Sequence, residues 1–232
     1  EVSTGEADYG IVPVENSTMG GVDQTLELFL KSQLKICGEV ELAIHHCLMS
    51  KSEELSNIRT IYAHQQALAQ CRIWLDANVP GVERIAVNSN AEATVIAQEN
   101  PDTAAIASRT AASMYDLKII SSSIEDEPNN TTRFAVLGKQ SVGASGNDKT
   151  SLVLSATNKP GALHQLLEPF AANGLSMTRI ESKPSRQGVW EYVFFVDVEG
   201  HIDELPMQQA FKEIEKHCGM IKHLGSYPKA II

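Results

Sequence analysis

No apolar stretch in these 232 residues approaches the roughly 20 that a membrane-crossing helix needs. No basic stretch followed by an apolar run opens the chain, so nothing in it points to secretion. Cysteine is scarce. Cys37, Cys47, Cys71 and Cys218 form neither a CxxC pair nor a Cys/His spacing suited to a metal. Reduced thiols in the cytoplasm are therefore the expectation, and nothing near Cys71 marks it as an activated nucleophile. Positive charge is also short: 19 Lys and Arg stand against 29 Asp and Glu, for a net charge of -10, and the basic residues do not gather into one run. That argues against nucleic acid and anionic membrane as main partners, while a local site for a small anion stays compatible with it. What remains is an ordinary globular composition, 43% hydrophobic and 21% charged. A chain of this length can bury a sizeable core in one large domain or two smaller ones.

From Tyr9 to Leu137 a short apolar run, a polar turn and a helical period recur. Strands are expected at Tyr9–Val14, Ile36–Leu48, Ile58–Ala63, Ile85–Val87, Ala104–Ala107, Leu117–Ser121 and Arg133–Leu137. Helices are expected over Val22–Leu30, around Leu68–Leu75, over Ala91–Gln98 and near Arg109–Met114. This alternation predicts an α/β fold with a mainly parallel sheet. Ligands of such sheets collect beyond the carboxyl ends of the strands. Several turns carry Ser, Thr or Asn before a helix, as N-caps do. A helix start offers free N–H groups to an anion. The chain opens on a polar run and an interior-type strand, as if in the middle of a domain.

Residues 139–149, rich in Gly, Ser and Asn, read as a linker between a first domain over 1–138 and a second over 150–232. The second has strands at Thr150–Ala156, Leu175–Lys183, Val189–Val198 and Met220–Tyr227. Helices fill Gly161–Ala172 and Leu205–His217, and Pro184-Ser185-Arg186-Gln187-Gly188 forms a hairpin turn. The order βαββαβ is ferredoxin-like, and small sheets of this kind pair edge to edge in dimers.

Asn130-Thr131-Thr132-Arg133-Phe134, with Ile124-Glu125-Asp126-Glu127-Pro128, resembles the TRF region of prephenate dehydratases, notably the type fused to chorismate mutase. Ala7 to Ser17, with Pro13-Val14-Glu15-Asn16, resembles the family's PxEN segment. Tyr62 to Cys71 and Asn88 to Ala93 resemble two further blocks. Gly161-Ala162-Leu163 and Glu181-Ser182-Lys183-Pro184 resemble its phenylalanine-binding GALV and ESRP motifs. The resemblance runs through nearly the whole chain in order. It departs at Ala63, where Ser is common, at His164 in place of Val, and at Lys183 in place of Arg. The family's opening strand and GPxGTxS turn are absent, so the chain reads as N-terminally incomplete by about one strand–helix–strand unit.

The resemblance implies a two-lobed, periplasmic-binding-protein-like catalytic domain with an incomplete first lobe, followed by an ACT regulatory domain. It implies a lyase that turns prephenate into phenylpyruvate, CO2 and water. Aromatisation drives that reaction, so positioning and one proton donor suffice, without metal or organic cofactor. The implied catalytic residues are Thr132, Arg133, Asn16 and Glu15. Thr132 donates or relays a proton to the leaving hydroxyl. Arg133 holds a carboxylate by a two-pronged hydrogen bond or forms a structural ion pair. Asn16 and Ser17 take substrate oxygens or cap a helix, and Glu15 accepts a hydrogen bond or orients Asn16. Thr18, His64, Gln70, Asn130, Thr131 and Phe134 complete the expected binding set. His64 supports rather than catalyses, and Phe134 packs. The reading requires Thr132 and Asn16 to face the same side.

The implied effector is L-phenylalanine, an allosteric inhibitor held by Gly161, Ala162, Leu163, Glu181 and Ser182 in a homo-oligomer, dimer or tetramer. Three other readings stay open: a dehydratase acting on arogenate, an amino-acid-binding regulatory protein without activity, and a two-lobed solute-binding protein with a small appended domain, against whose periplasmic form the missing secretion signal speaks.

Overall fold

The computed structural model describes residues 1–156, 159–185 and 192–230. In chain order its elements are β1 (Gly10–Asn16), β2 (Gly20–Gly21), α1 (Asp23–Lys31), β3 (Lys35–Ala43), β4 (Cys47–Ser50), β5 (Thr60–His64), α2 (Gln65–Gln70), α3 (Arg72–Asn78), β6 (Glu83–Val87), α4 (Asn90–Glu99), β7 (Thr103–Ala107), α5 (Arg109–Met114), β8 (Lys118–Ser122), β9 (Thr131–Gly138), β10 (Asp148–Ala156), α6 (Ala162–Ala172), β11 (Met177–Pro184), β12 (Tyr192–Glu199), α7 (Leu205–Ile214) and β13 (Cys218–Pro228). The α/β class is as expected. The hairpin turn expected through Arg186-Gln187-Gly188 lies outside the described residues. The chain divides into two compact units: residues 1–42 with 132–232, and residues 43–131.

The larger unit contains two antiparallel sheets. One has strand order β2-β1-β9-β3 and the other β11-β12-β10-β13. The second, with its two helices, is the expected ferredoxin-like arrangement. Its strands alternate between two cores, as the two-residue period of a pleated strand requires. Leu152, Leu154, Val196 and Val198 pack with Leu166 and Phe170 of α6 and Met207 and Ala210 of α7. Val153, Val193, Phe195 and Tyr227 face the other way and pack with Val14, Leu26, Phe29, Ile36, Ala135 and Leu137. The apolar face of α1 is buried in that second core at Leu26 and Phe29. Its C-terminal carbonyls are closed by Lys222, whose Nζ donates to the carbonyls of Phe29 (2.8 Å), Leu30 (3.0 Å) and Ser32 (2.7 Å).

In the smaller unit the sheet order is β6-β5-β7-β4-β8. It corrects the expectation of a mainly parallel sheet. β5 pairs in parallel with β6 and β7, but β4 is antiparallel to both β7 and β8. The cause lies in the run Ile36–Leu48, expected as one strand. It is two: β3 belongs to the larger unit, and after Ile44-His45-His46 the chain enters the smaller unit as β4. Both faces of this sheet are covered. Leu48, Ala104 and Ile106 pack toward α2 and α3, while Cys47, Met49, Ala105 and Ala107 pack toward α4 and α5.

Candidate functional site

In the larger unit, β1 and β9 place Asn16 opposite Thr132 and Glu15 opposite Arg133. A β-bulge at Val14 decides which way these residues face. The register steps from Pro13↔Phe134 to Glu15↔Arg133, leaving Val14 as the extra residue. Val14 and Glu15 therefore share the inner face, and Asn16 is turned outward, onto the face of Thr132. Without the bulge the two-residue period would turn Asn16 inward. The requirement that Asn16 and Thr132 face the same side is met. The Asn16 amide Nδ2 donates to Thr132 Oγ1 at 2.9 Å. The amide oxygen accepts from the N–H groups of Thr18 and Met19, each at 3.1 Å. Asn16 is 8% exposed.

That geometry corrects the capping alternative for Asn16 and Ser17. The chain does not pass from Ser17 into a helix. It folds back as β2 against Glu15 and Asn16, and α1 starts later, with Val22 at its N-cap and no side-chain cap. Ser17 and Thr18 lie exposed in the hairpin turn. Phe134, expected as packing, stays outside the buried core and lies two residues along β9 from Thr132, on the same face.

Arg133 faces inward, and of the two roles expected for it, holding a substrate carboxylate or forming a structural ion pair, its contacts are those of the ion pair. Its guanidinium is taken by three protein carboxylates. Nε and Nη2 donate to Glu15 Oε2 at 3.2 and 3.0 Å, Nη1 to Glu39 at 3.2 Å, and Nη2 to Asp197 at 2.6 Å. Burial works against the charge, but Asp197, Tyr227, Glu39 and Glu15 outweigh it and hold the group protonated more firmly than a free arginine. Glu15 is correspondingly a partner of Arg133, and it also lies 3.6 Å from Arg179.

Asn130 and Thr131 belong to the smaller unit. The buried Asn130 carbonyl accepts from Ile44 N–H at 2.8 Å, and Thr131 Oγ1 approaches the Asn129 carbonyl at 3.5 Å. His64, Asn90 and Ser108 lie where β5, β6 and β7 end and α2, α4 and α5 begin. The His64 ring accepts from Gln66 N–H at 3.3 Å, which makes it the N-cap of α2. The backbone N–H of His64 donates to Asn90 Oδ1 at 2.8 Å. Ser89 and Ser108 are the N-caps of α4 and α5, as the turn composition predicted.

Sequence reasoning named Gln70 but missed the buried His46 beside it. His46 Nε2 lies 2.9 Å from Gln70 Oε1. Gln70 Nε2 is buried without a hydrogen-bond partner among the described residues, which leaves a donor for a ligand atom or water. Glu125 anchors the pair by accepting from His46 N–H and the His45 ring, both at 2.8 Å. Burial alone would raise the Glu125 carboxyl, yet these hydrogen bonds bring it below the usual range. Asp126 caps α3 by accepting from Ile73 and Trp74 N–H. The available signal was the dipeptide His45-His46 interrupting an apolar run. Cys71 is fully buried, and burial together with Asp126 and Glu125 pushes its thiol up to about 12, too high for a nucleophile at neutral pH. Among the described residues no cluster of metal ligands occurs.

Of the effector residues, Gly161 takes φ +79° at the start of α6, and no atom of the other described residues comes within 4 Å of where a side chain would begin. Ala162 opens α6 and Leu163 follows half-exposed. Glu181 and Ser182 cannot grip one ammonium with both side chains, because neighbours on β11 point to opposite faces. Glu181 is paired with Arg179 and with Lys183 at 2.9 Å, and it lies against Gly21, where even one added carbon would collide with its carboxylate.

The prephenate dehydratase family pattern matches residues 1–142, and the ACT domain pattern matches residues 150–216. The chain is 51% identical over its whole length to a bifunctional chorismate mutase/prephenate dehydratase of Pseudomonas aeruginosa, of whose length it spans 64%. It superposes at TM-score 0.89 and 33% identity, over 99% of its own length and 77% of the other chain, on a prephenate dehydratase of Arthrobacter aurescens solved in complex with L-Phe. It also superposes at TM-score 0.87 and 30% identity, over 99% of its length and 85% of the other, on GqqA, described as a novel type of quorum quenching acylase. The same fold thus carries two described activities, and the chemistry has to be argued from side chains.

Proposed function

The chain belongs to the prephenate dehydratase family, and from that premise we propose that it expels CO2 and water from prephenate to form phenylpyruvate, with Thr132 assisting the departing hydroxyl. The observation that carries this reading is the 2.9 Å hydrogen bond from Asn16 Nδ2 to Thr132 Oγ1. A threonine hydroxyl is a very weak acid. An N–H donor on its oxygen disperses charge as its own proton moves away, and leaves that proton to be donated to the substrate oxygen. The Asn16 amide cannot rotate freely, because its oxygen is held by two backbone N–H groups. Such a prealigned donor contributes about 10²–10⁴-fold to a rate.

The second part of the chain, on this proposal, binds L-phenylalanine and lowers activity. Support comes from the ACT match, the Gly161 turn and the L-Phe in the Arthrobacter structure. β11 is an edge strand of its sheet, and Ile180 on it is 45% exposed, which suits edge-to-edge pairing in a homodimer. The described cysteines carry no disulfide, which suits a reducing cytoplasm. The test is direct. The natural full-length protein is incubated with prephenate and, separately, with arogenate, and the keto-acid or amino-acid product is measured with and without L-phenylalanine. Thr132→Ala should lose at least a hundredfold in kcat with its fold intact. Wild-type turnover in that variant would remove the role given to Thr132, and product from arogenate alone would shift the substrate.

A further inference from the structure

Thr132 is the second residue of β9, beside the point where the strand begins. Strand ends fray unless something ties them down. Here the tie is the next residue. Arg133 is anchored to its own sheet by Glu15 on β1 and Glu39 on β3. Its shortest contact, at 2.6 Å, reaches a different sheet, at Asp197 on β12. Asp197 is 4% exposed and held in turn: its other oxygen accepts from Ser151 Oγ at 2.5 Å, and Ser151 shares a 2.7 Å hydrogen bond with Tyr227. The space among these groups is about 10 Å³, room for one water at most, so they do not form a ligand site. Glu15 shares the hairpin with Asn16 and moves with it. Asp197 is the charged partner that ties the start of β9 to the other sheet, beyond the apolar packing of Ala135 and Leu137 further along the strand.

We propose that Asp197 is a positioning residue for the reaction: through Arg133 it pins the start of β9 and so holds Thr132 against Asn16. The inference rests on the reading of Thr132 as proton donor. A slip of about 1 Å at the strand end would stretch the 2.9 Å Asn16–Thr132 contact beyond hydrogen-bond range. Misplacement of that size costs on the order of a hundredfold in rate.

The experiment uses the natural full-length protein and a double-mutant cycle of Asp197→Asn with Thr132→Ala. Asp197→Asn should lower kcat about 10- to 100-fold with KM changed by less than about twofold, and Asp197→Glu should recover part of the loss. In the Thr132→Ala background Asp197→Asn should add little, since no hydroxyl is left to position. A purely structural role would lower the melting temperature but leave kcat per folded molecule unchanged, and that result overturns the proposal. So does a loss that multiplies with that of Thr132→Ala. If Asp197→Asn does not fold, Ser151→Ala keeps the charge and removes one restraint on Asp197. It should then show the same kcat-only pattern at a few-fold size, and an unchanged kcat overturns the proposal. Thr132→Ala with wild-type turnover would instead remove the underlying reading, and this inference with it.

Discussion

Arg133→Met separates two roles that an arginine beside a catalytic threonine can have. If Arg133 grips a substrate carboxylate, the variant raises KM and leaves stability alone. The structure predicts the reverse order of effects. The guanidinium makes four charge-assisted hydrogen bonds to three carboxylates, and two of those carboxylates, Glu39 and Asp197, expose only 2% and 5% of their side chains. Removing one member of a buried ionic group leaves the others uncompensated and costs about 3–5 kcal/mol. Lys149, 2.9 Å from Glu39, softens the loss there, whereas the Asp197 carboxylate keeps, among the described residues, a neutral donor in Ser151, which is itself bonded to Tyr227. We therefore take the lower half of that range. At about 3 °C per kcal/mol for a unit of this size, the melting temperature should fall by about 10 °C. Calorimetry of wild type, Arg133→Met and Arg133→Lys measures it. Arg133→Lys should lie between the other two, because lysine keeps the charge but not the fork. A melting temperature within about 2 °C of wild type, with KM raised at least tenfold, would show that the guanidinium faces substrate and refute the buried assignment.

Asn16→Asp keeps the oxygen that orders the Thr18–Met19 turn but loses the N–H donor to Thr132. Its carboxylate would draw the threonine proton toward itself, so kcat should fall about 10²-fold or more with little change in melting; an unchanged kcat contradicts the polarising role. Gly225→Ala would set its new carbon 2.0 Å from the carbonyl oxygen of Ile36. Overpacking against backbone should cost about 1–3 kcal/mol in urea unfolding, and no shift in midpoint would contradict the close approach of β13 to β3. Burial, and then Lys35, lower the His223 imidazole to about 4, against an ordinary value of about 6.5. Between those values the unfolded chain binds the extra proton, so stability is full above about pH 6.5 and declines as pH falls toward 4. The decline is up to about 3 kcal/mol. His223→Gln should flatten that slope, and an unchanged slope would point to other groups. Lys222→Met should cost about 1–3 kcal/mol by exposing three helix-end carbonyls, measurable as a lower urea midpoint; an unchanged midpoint would make the lysine plug ornamental.

The order of strands and helices was largely legible because each element carries its own period. The second part shows this best: the apolar positions of α6 and α7 and the Asn173-Gly174 stop suffice to place both helices. The mixed sheet of the smaller unit was not legible. Val40 and Leu42 alternate like a half-buried strand continuing into Leu48, yet they are 44% and 54% exposed. The break at Ile44-His45-His46 is set by long-range contacts, from Ile44 to Asn130 and from His45 and His46 to Glu125. Helix α3 likewise starts where Asp126, from a distant loop, caps it. In the candidate site, the residue types around Thr132 were readable from motifs, but their directions were not. Which of Asn16 and Glu15 faces outward depends on a one-residue bulge at Val14, and the partners of Arg133 lie 94 and 64 residues away, at Glu39 and Asp197.

The core that joins Val14, Ala135 and Leu137 to Val153, Phe195 and Tyr227 draws on both matched family segments. The exposed stretch between them, around Gly143 to Asn147, therefore links two family segments that share one core. A protease nick there should leave two fragments that stay together through purification and melt in one step. Neither fragment, made alone, has a partner surface to cover its share of that oil.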